Sequence, residues 1–455
     1  MKNNLGDEEK LLISDEVKEA EMMLYGLDDT LPIQKNIVYG FQHVIYFVVS
    51  AVVMPVVVGA LLGLSHHEIA SMLQRTFVLC GIISILQAKF GHTYPIIDGP
   101  AGLWTGVITL MAGLTPTLGK DLSVLITDLE SGMIIAGAVV MILMILGLIP
   151  YISKLFTPVI NGVLIILMVL QISPSIIKGM LGITEQNKVI DIRCTAVFFV
   201  TVILILVISL FTKGFLQSIS TLVGVIVGWI MALLLGIANL TSLTSEGFVS
   251  LPQAFAWGKP TFDVGITITC IIASLVILSM TFTSVNSMAE VLGESVSNKQ
   301  MSHAIFIHGL SASFAGAFPT IAFMPYLSST GITAMTRVAA RRPFVLSGVM
   351  MIALGIVTPI GMLFASIPSP VGCGALIMVF ALITGQGLKE FQKIKITNRE
   401  SFIIGISVLI GIGAMFLPNT AFQGLPSVAR SILPNGMVDG IIIAFLMENL
   451  LSKKF

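Results

Sequence analysis

The sequence predicts an all-α polytopic membrane protein of fourteen transmembrane segments, arranged as two inverted seven-segment repeats. Three observations carry this. Hydrophobic residues make up 55% of the 455 and charged residues only 11%, with a mean hydropathy of +0.99, against roughly a quarter charged in soluble domains. The apolar residues fall in runs of about 20, the length an α-helix needs to cross a hydrocarbon core of roughly 30 Å. The two halves also echo each other in their proline and glycine positions.

Taken in order, Met1 to Lys35 is polar and acidic, with no cleavable signal peptide, and reads as a solvated cytoplasmic tail. The first-half spans are Asn36–Gly63, Glu68–Ala88, Ser131–Ile149, Phe156–Ile172, Cys194–Phe211 and Phe215–Ala238. The second half gives Val264–Val291, Met301–Ala317, Pro343–Ala365, Val371–Thr384, Glu400–Leu417 and Val438–Leu451. Two weaker segments, Pro95–Ala112 and Pro325–Ala340, are interrupted by Gly and Pro. With both termini on one side, most of the 24 Lys and Arg share that side. Only Lys120, Lys178, Lys188, Arg193, Lys259 and Arg430 fall on the other, and Arg75 lies inside the second span. This asymmetry puts the termini in the cytoplasm and predicts a multi-pass inner-membrane protein.

The repeat is visible in short motifs. Thr157-Pro158-Val159 opens the fifth span and Ser369-Pro370-Val371 the twelfth. The third and tenth segments each follow a proline, Pro95 or Pro325, with small residues: Asp98-Gly99-Pro100-Ala101-Gly102 and Ser328-Ser329-Thr330-Gly331. Seven spans per half is an odd number, so the halves run in opposite senses through the membrane. Matched Gly/Pro-interrupted segments in inverted repeats point to a transporter binding site. There, half-helix N-termini offer unpaired N–H groups and a positive dipole end to a small polar ligand.

Ionisable groups inside apolar spans are costly and are functional candidates. His43, beside Gln42, lies in the first span, and Glu290 ends the eighth with Glu294 one turn on. His308 is in the ninth, and Asp98 and Arg337 belong to the broken segments. Arg75 reads as a structural pairing and Arg337 as an anchor at its helix end. Asp98 fits either a helix cap or a ligand group. A lone His43 fits a packing histidine, whereas a buried Glu290 needs a partner or a proton.

Other classes are excluded more simply. The net charge is zero, so no basic field invites nucleic acid. Cys80, Cys194, Cys270 and Cys373 lack metal-ligand spacing, and neither a His-Glu-x-x-His nor a nucleophile motif is present. No metal, cofactor or enzymatic activity is expected.

These motifs resemble the nucleobase–ascorbate transporter family, the xanthine/uracil permeases, over nearly all of Gln34 to Leu451. The matching residues are the first-span Gln42-His43, the eighth-span Glu290-Val291-Leu292-Gly293 and the tenth-span Gly331 through Thr336-Arg337. The resemblance implies a core domain (36–150 and 264–366) and a gate domain (151–240 and 367–455), besides the tail (1–35) and an extracellular loop (241–263). It implies short strands before the third and tenth half-helices, and a homodimer. Glu290 would hydrogen-bond the base, with backbone near Gly102 and Ser329 completing the cradle and His43 supporting it. Three departures stand out: His308 where the family has Asp, Ser328-Ser329 where it has an acid or amide with Asn, and an acid at Asp98.

The expected function is proton symport of a nucleobase, an oxidised purine such as xanthine or uric acid before uracil. Sodium is the alternative coupling ion. Glu294 and His308 are the expected proton-coupling groups. Alternatives are another cyclic ureide such as allantoin, or an anion exchanger or channel of the same architecture.

Overall fold

A computed structural model describes residues 23–451, apart from 114, 116–118, 150, 152–153, 155–156, 184–187, 214, 239–246, 423, 426–428, 430–432 and 434. Helix dominates because hydrocarbon offers the backbone no hydrogen-bond partner. The first half contains α1 (Ile33–Ala51), α2 (Val53–Leu61), α3 (His66–Phe90), β1 (Asp98–Pro100), α4 (Gly102–Gly113) and α5 (Leu122–Ile145). It continues with α6 (Pro158–Leu181), α7 (Ile192–Phe211), α8 (Phe215–Ser218) and α9 (Ser220–Leu234). The second half has α10 (Val264–Val291), α11 (Asn298–Ala317), β2 (Phe323–Pro325), α12 (Ser328–Thr336), α13 (Arg341–Ile356) and α14 (Thr358–Ala365). The helices α15 (Ser369–Gln392), α16 (Asn398–Phe416) and α17 (Gly436–Leu450) close the chain.

Each expected segment contains helix among the described residues, though not always one helix, and the third and tenth carry strand ahead of theirs. The first divides at Val52, because Pro55 in the first turn of α2 has no N–H for the Ala51 carbonyl. The eleventh divides at Val357, with Pro359 at the start of α14. Among the described residues, eight helical stretches are long and apolar enough to cross a bilayer: α1 with α2, α3, α5, α6, α7, α10, α15 and α16. Local signals fix several starts. Ser65 and Glu68 form a capping box on α3, and Thr157 caps α6 with Pro158 in its first turn.

Two expectations need correction. Residues 1–22 lie outside the described residues, and the rest of the expected tail is not freely solvated: although residues 28–30 and 32–35 are exposed, the segment from Leu24 to Leu31 is tied to the chain after α12. Leu24 N–H donates to the Arg337 carbonyl at 2.7 Å, and Ala339 and Arg341 N–H donate back to the Tyr25 and Leu27 carbonyls. Leu31 and Tyr25 pack with Val338 and Ala340 in a small apolar cluster. The fourth span also begins earlier than Ser131, at Leu122, which brings Asp128 and Glu130 into the buried part of α5.

Backbones approach closely where small residues allow it, as expected when lipid supplies no hydrophobic drive between helices. A Cβ at Gly81 of α3 would sit 2.4 Å from the Gly348 carbonyl of α13. One at Gly137 of α5 would sit 2.2 Å from the Gly309 carbonyl of α11. At one end of α5, Lys120 bridges Asp128 at 2.6 Å and Asp263 at 2.9 Å. Asp263 in turn caps α10 through the Ile266 N–H. Burial alone would raise the Asp263 carboxyl, but the bonds from Lys120 and Ile266 outweigh it and hold it below its ordinary value. Burial would likewise lower the Lys120 ammonium, yet its bonds to Asp128 and Asp263 hold it above its ordinary value.

Candidate functional site

The two interrupted segments meet. β1 and β2 pair antiparallel, with Asp98 opposite Pro325, Gly99 opposite Met324 and Pro100 opposite Phe323. Two further backbone bonds extend the pairing, Ala101 N–H to the Ala322 carbonyl at 2.9 Å and Tyr326 N–H to the Ile97 carbonyl at 2.8 Å. α4 and α12 each begin within three residues of their strand, so two half-helix starts lie beside one crossing. Pro95, Pro100 and Pro325 are the local cause, since proline cannot serve a continuous helix and favours extended backbone before it.

Neighbouring elements brace the crossing. From α10, Ser284 Oγ donates to the Pro325 carbonyl at 2.9 Å. From α3, Ser84 Oγ accepts the Asp98 N–H at 3.1 Å. Ser329 Oγ accepts the Ile97 N–H at 3.1 Å, tying the first turn of α12 to β1. The Tyr326 phenol donates to the Pro100 carbonyl at 3.0 Å, and its ring lies over Gly99, where a Cβ would meet it at 2.4 Å. Gly102 is tight as well, since a Cβ there would lie 2.8 Å from Ile383 of α15. The third residue of each half-helix carries a buried donor with no hydrogen-bond partner among the described residues: the Trp104 indole Nε1 and the Thr330 hydroxyl.

The expected site residues divide into those at the crossing and those away from it. Asp98, Gly102, Ser328 and Ser329 are at the crossing or in the first turns beside it; Ser328 is exposed and the other three are buried. His43 is buried on α1, its Nδ1 2.8 Å from the Tyr39 carbonyl and its ring edge-on to Phe344. That is the packing arrangement, and Gln42 beside it is half-buried.

Glu290 departs from expectation. It is the penultimate residue of α10 and is exposed, not a buried carboxylate. It stands six residues beyond Ser284, or roughly 9 Å along a helix axis. The chain leaves the helix at Gly293 with φ of 69°, so the carboxylate reaches the rim. Thr283, Asn286 and Glu290 make an exposed polar stripe on α10 at helical spacing.

The expected pairing of His308 with an acid is also absent. His308 is 1% exposed and neither ring nitrogen has a hydrogen-bond partner among the described residues. Glu294 instead accepts from the Tyr94 phenol at 3.2 Å. Arg75 takes the structural role: its Nε donates to the Pro319 carbonyl at 2.9 Å and its Nη1 to Ser71 at 2.8 Å.

Sequence reasoning passed over Ser284, Tyr326, Trp104, His92 and Glu130. Tyr326 adjoins the proline that marked the tenth segment, and that position was the available signal. Glu130, 0% exposed with neither carboxylate oxygen hydrogen-bonded among the described residues, lay one residue outside the predicted span.

Comparison with known proteins decides the family. The xanthine/uracil permease model, described as the permease family, matches residues 34–420. The chain belongs to this permease family. It is therefore an integral membrane transporter and not an enzyme. The candidate purine permease YwdJ of Bacillus subtilis is 32% identical over 429 residues, covering 91% of this chain and 95% of the relative. The xanthine permease of Bacillus subtilis is 25% identical, over 92% of this chain and 95% of its own length. The uric acid transporter UacT of Escherichia coli is 26% identical, over 93% and 87%. Among solved structures, the transmembrane domain of the cyanobacterial bicarbonate transporter BicA superposes with a TM-score of 0.57 at 16% identity, covering 87% of this chain and 98% of that one. The inward-facing murine anion transporter Slc26a9 gives 0.62 at 14%, covering 99% of this chain and 73% of that one. At these identities the likeness concerns the fold.

Proposed function

We propose that this permease imports a nucleobase, with uric acid or xanthine preferred to uracil, by proton symport. The observation that carries the reading is the antiparallel crossing of β1 and β2, which brings the first turns of α4 and α12 to one place. A purine-dione presents N–H and carbonyl groups around a planar edge. First-turn amides without intrahelical acceptors, the Trp104 indole and the Thr330 hydroxyl supply donors for such carbonyls. Ser328, Ser329 and the backbone at Gly102 complete the frame. Glu290 belongs to the approach along the polar stripe of α10, and Gln42 and His43 form the supporting layer on α1. The names of the relatives, uric acid and xanthine permeases, favour oxidised purines.

The packing supports the wider architecture of this reading. A two-fold relation between halves would exchange the second span with the ninth and the fourth with the eleventh. The close glycine contacts fall on that exchange, α3 against α13 and α5 against α11. We read the chain as fourteen segments with core and gate domains, both termini cytoplasmic, in the inner membrane and as a homodimer.

Uptake by cells lacking endogenous purine permeases tests the substrate. Labelled uric acid or xanthine should accumulate, with unlabelled oxidised purines competing better than uracil and allantoin competing weakly. Transport of bicarbonate or sulfate with no purine uptake would refute the assignment.

A further inference from the structure

Between α3 and β1, the chain passes through Gly91-His92-Thr93-Tyr94 and buries a histidine and an acid side by side. His92 is 0% exposed and Asp98 1%. His92 Nε2 and Asp98 Oδ2 face each other at 4.0 Å, beyond hydrogen-bond length, and neither atom has a hydrogen-bond partner among the described residues. The other ring nitrogen is committed: His92 Nδ1 accepts the Tyr94 backbone N–H at 3.1 Å. That bond assigns the tautomer, placing the proton of a neutral ring on Nε2, toward Asp98.

The loop is held from several sides. His92 N–H donates to Gln87 Oε1 at 3.4 Å, and Gln87 Nε2 donates to the Ala304 carbonyl of α11 at 3.0 Å. Gln300 Nε2 donates to the His92 carbonyl and, at 3.0 Å, to Thr93 Oγ1. Among the described residues, the Cys80 thiol of α3 and the Tyr326 phenol beyond β2 face Asp98, while the Tyr94 ring stacks on His92 and its phenol faces Glu294 and Arg341 toward the rim. Among the described residues no Lys or Arg is paired with Asp98 to balance an ionised carboxylate, and the Nε2–H of His92 is the donor placed to answer that charge.

We propose that Asp98 carries the coupled proton and that His92 is the positioning donor that holds its ionised form. With the carboxyl protonated, as the 4.0 Å gap fits, the pair stands apart and Asp98 is neutral. When the carboxyl gives its proton to water, the Nε2–H closes onto the carboxylate and compensates the buried charge. Asp98 opens β1, four residues before the half-helix start at Gly102 and six before Trp104 with its buried indole, so a shift of its carboxyl acts on the strand that positions the half-helix start. An exit is adjacent. Thr93 lines a cavity of about 720 Å³, together with Glu294, Gln300 and Arg341, on the side of the docked Leu27–Asp28 segment. The inference rests on the proton-symport reading and names the group in this chain that performs it.

The test is the pH dependence of uric acid or xanthine binding to the purified full chain. Wild type should change its Kd by about tenfold per pH unit over its linked range, the slope of one bound proton. Asp98→Asn should flatten this to under about twofold. His92→Phe should flatten it too, and His92→Gln, which restores a donor, should recover a slope. A flat wild-type profile, with uptake indifferent to a protonophore, would overturn proton symport itself. A steep wild type with an equally steep Asp98→Asn would overturn this assignment alone. Should the variants fail to fold, infrared difference spectra of the wild type decide: substrate addition should change a protonated-carboxyl band that survives in Glu130→Gln. No such band, or its loss in Glu130→Gln, rejects Asp98 as the carrier.

Discussion

At Gly99 the crossing of the strands leaves no room for a side chain, because the Tyr326 ring fills the place of its Cβ. Gly99→Ala should therefore displace Tyr326 and break its bond to the Pro100 carbonyl. Overpacking of this kind costs about 1–3 kcal/mol, read as a lower unfolding temperature in detergent together with loss of substrate binding. Full binding in a stable Gly99→Ala protein would mean the crossing is not the site. The sequence makes Gly99 visible as one of a run of small residues, but Tyr326 is 227 residues away and its approach is not. Glu290 shows the reverse error. Its place in an apolar run suggested burial, but α10 ends one residue later and burial depends on that end. His92 was invisible for another reason: it lies in neither span, so no hydropathy argument reaches it.

At the scale of elements, the Lys120, Asp128 and Asp263 cluster joins the start of α5 to the cap of α10. Asp263 is held below its ordinary 3.8, so its contribution is present above that value and is lost as pH falls through the lower folded one. Lys120 is held above its ordinary 10.5, so its contribution is full below that value and fades as pH rises through the higher one. Thermal stability should accordingly fall off on the acid side of 3.8 and the alkaline side of 10.5. Lys120→Met leaves the buried Asp128 charge unanswered and should cost about 3 kcal/mol, with Asp128→Asn restoring part of it. Additive losses in the double variant would argue against a coupled cluster. Helix identities along the chain were largely readable because apolar runs of spanning length have few other outcomes. The ends were not: α5 starts nine residues before Ser131, since its first turns carry Asp128 and Glu130 inward, a burial that hydropathy alone rejects.

Across the whole molecule, the decisive contact is the pairing of residues 98–100 with 323–325. Matched prolines at Pro95 and Pro325 indicated two broken segments, and the repeat indicated that they correspond. That they form one sheet is a long-range property of packing, set by α3, α10 and α11 around them. Transport is the central claim, and proteoliposomes holding only this chain test it most directly. With acid outside and alkali inside, labelled uric acid or xanthine should accumulate above its external concentration, and a protonophore should abolish the accumulation. Accumulation that follows a sodium gradient and ignores the protonophore, or no purine entry under any gradient, would contradict the account.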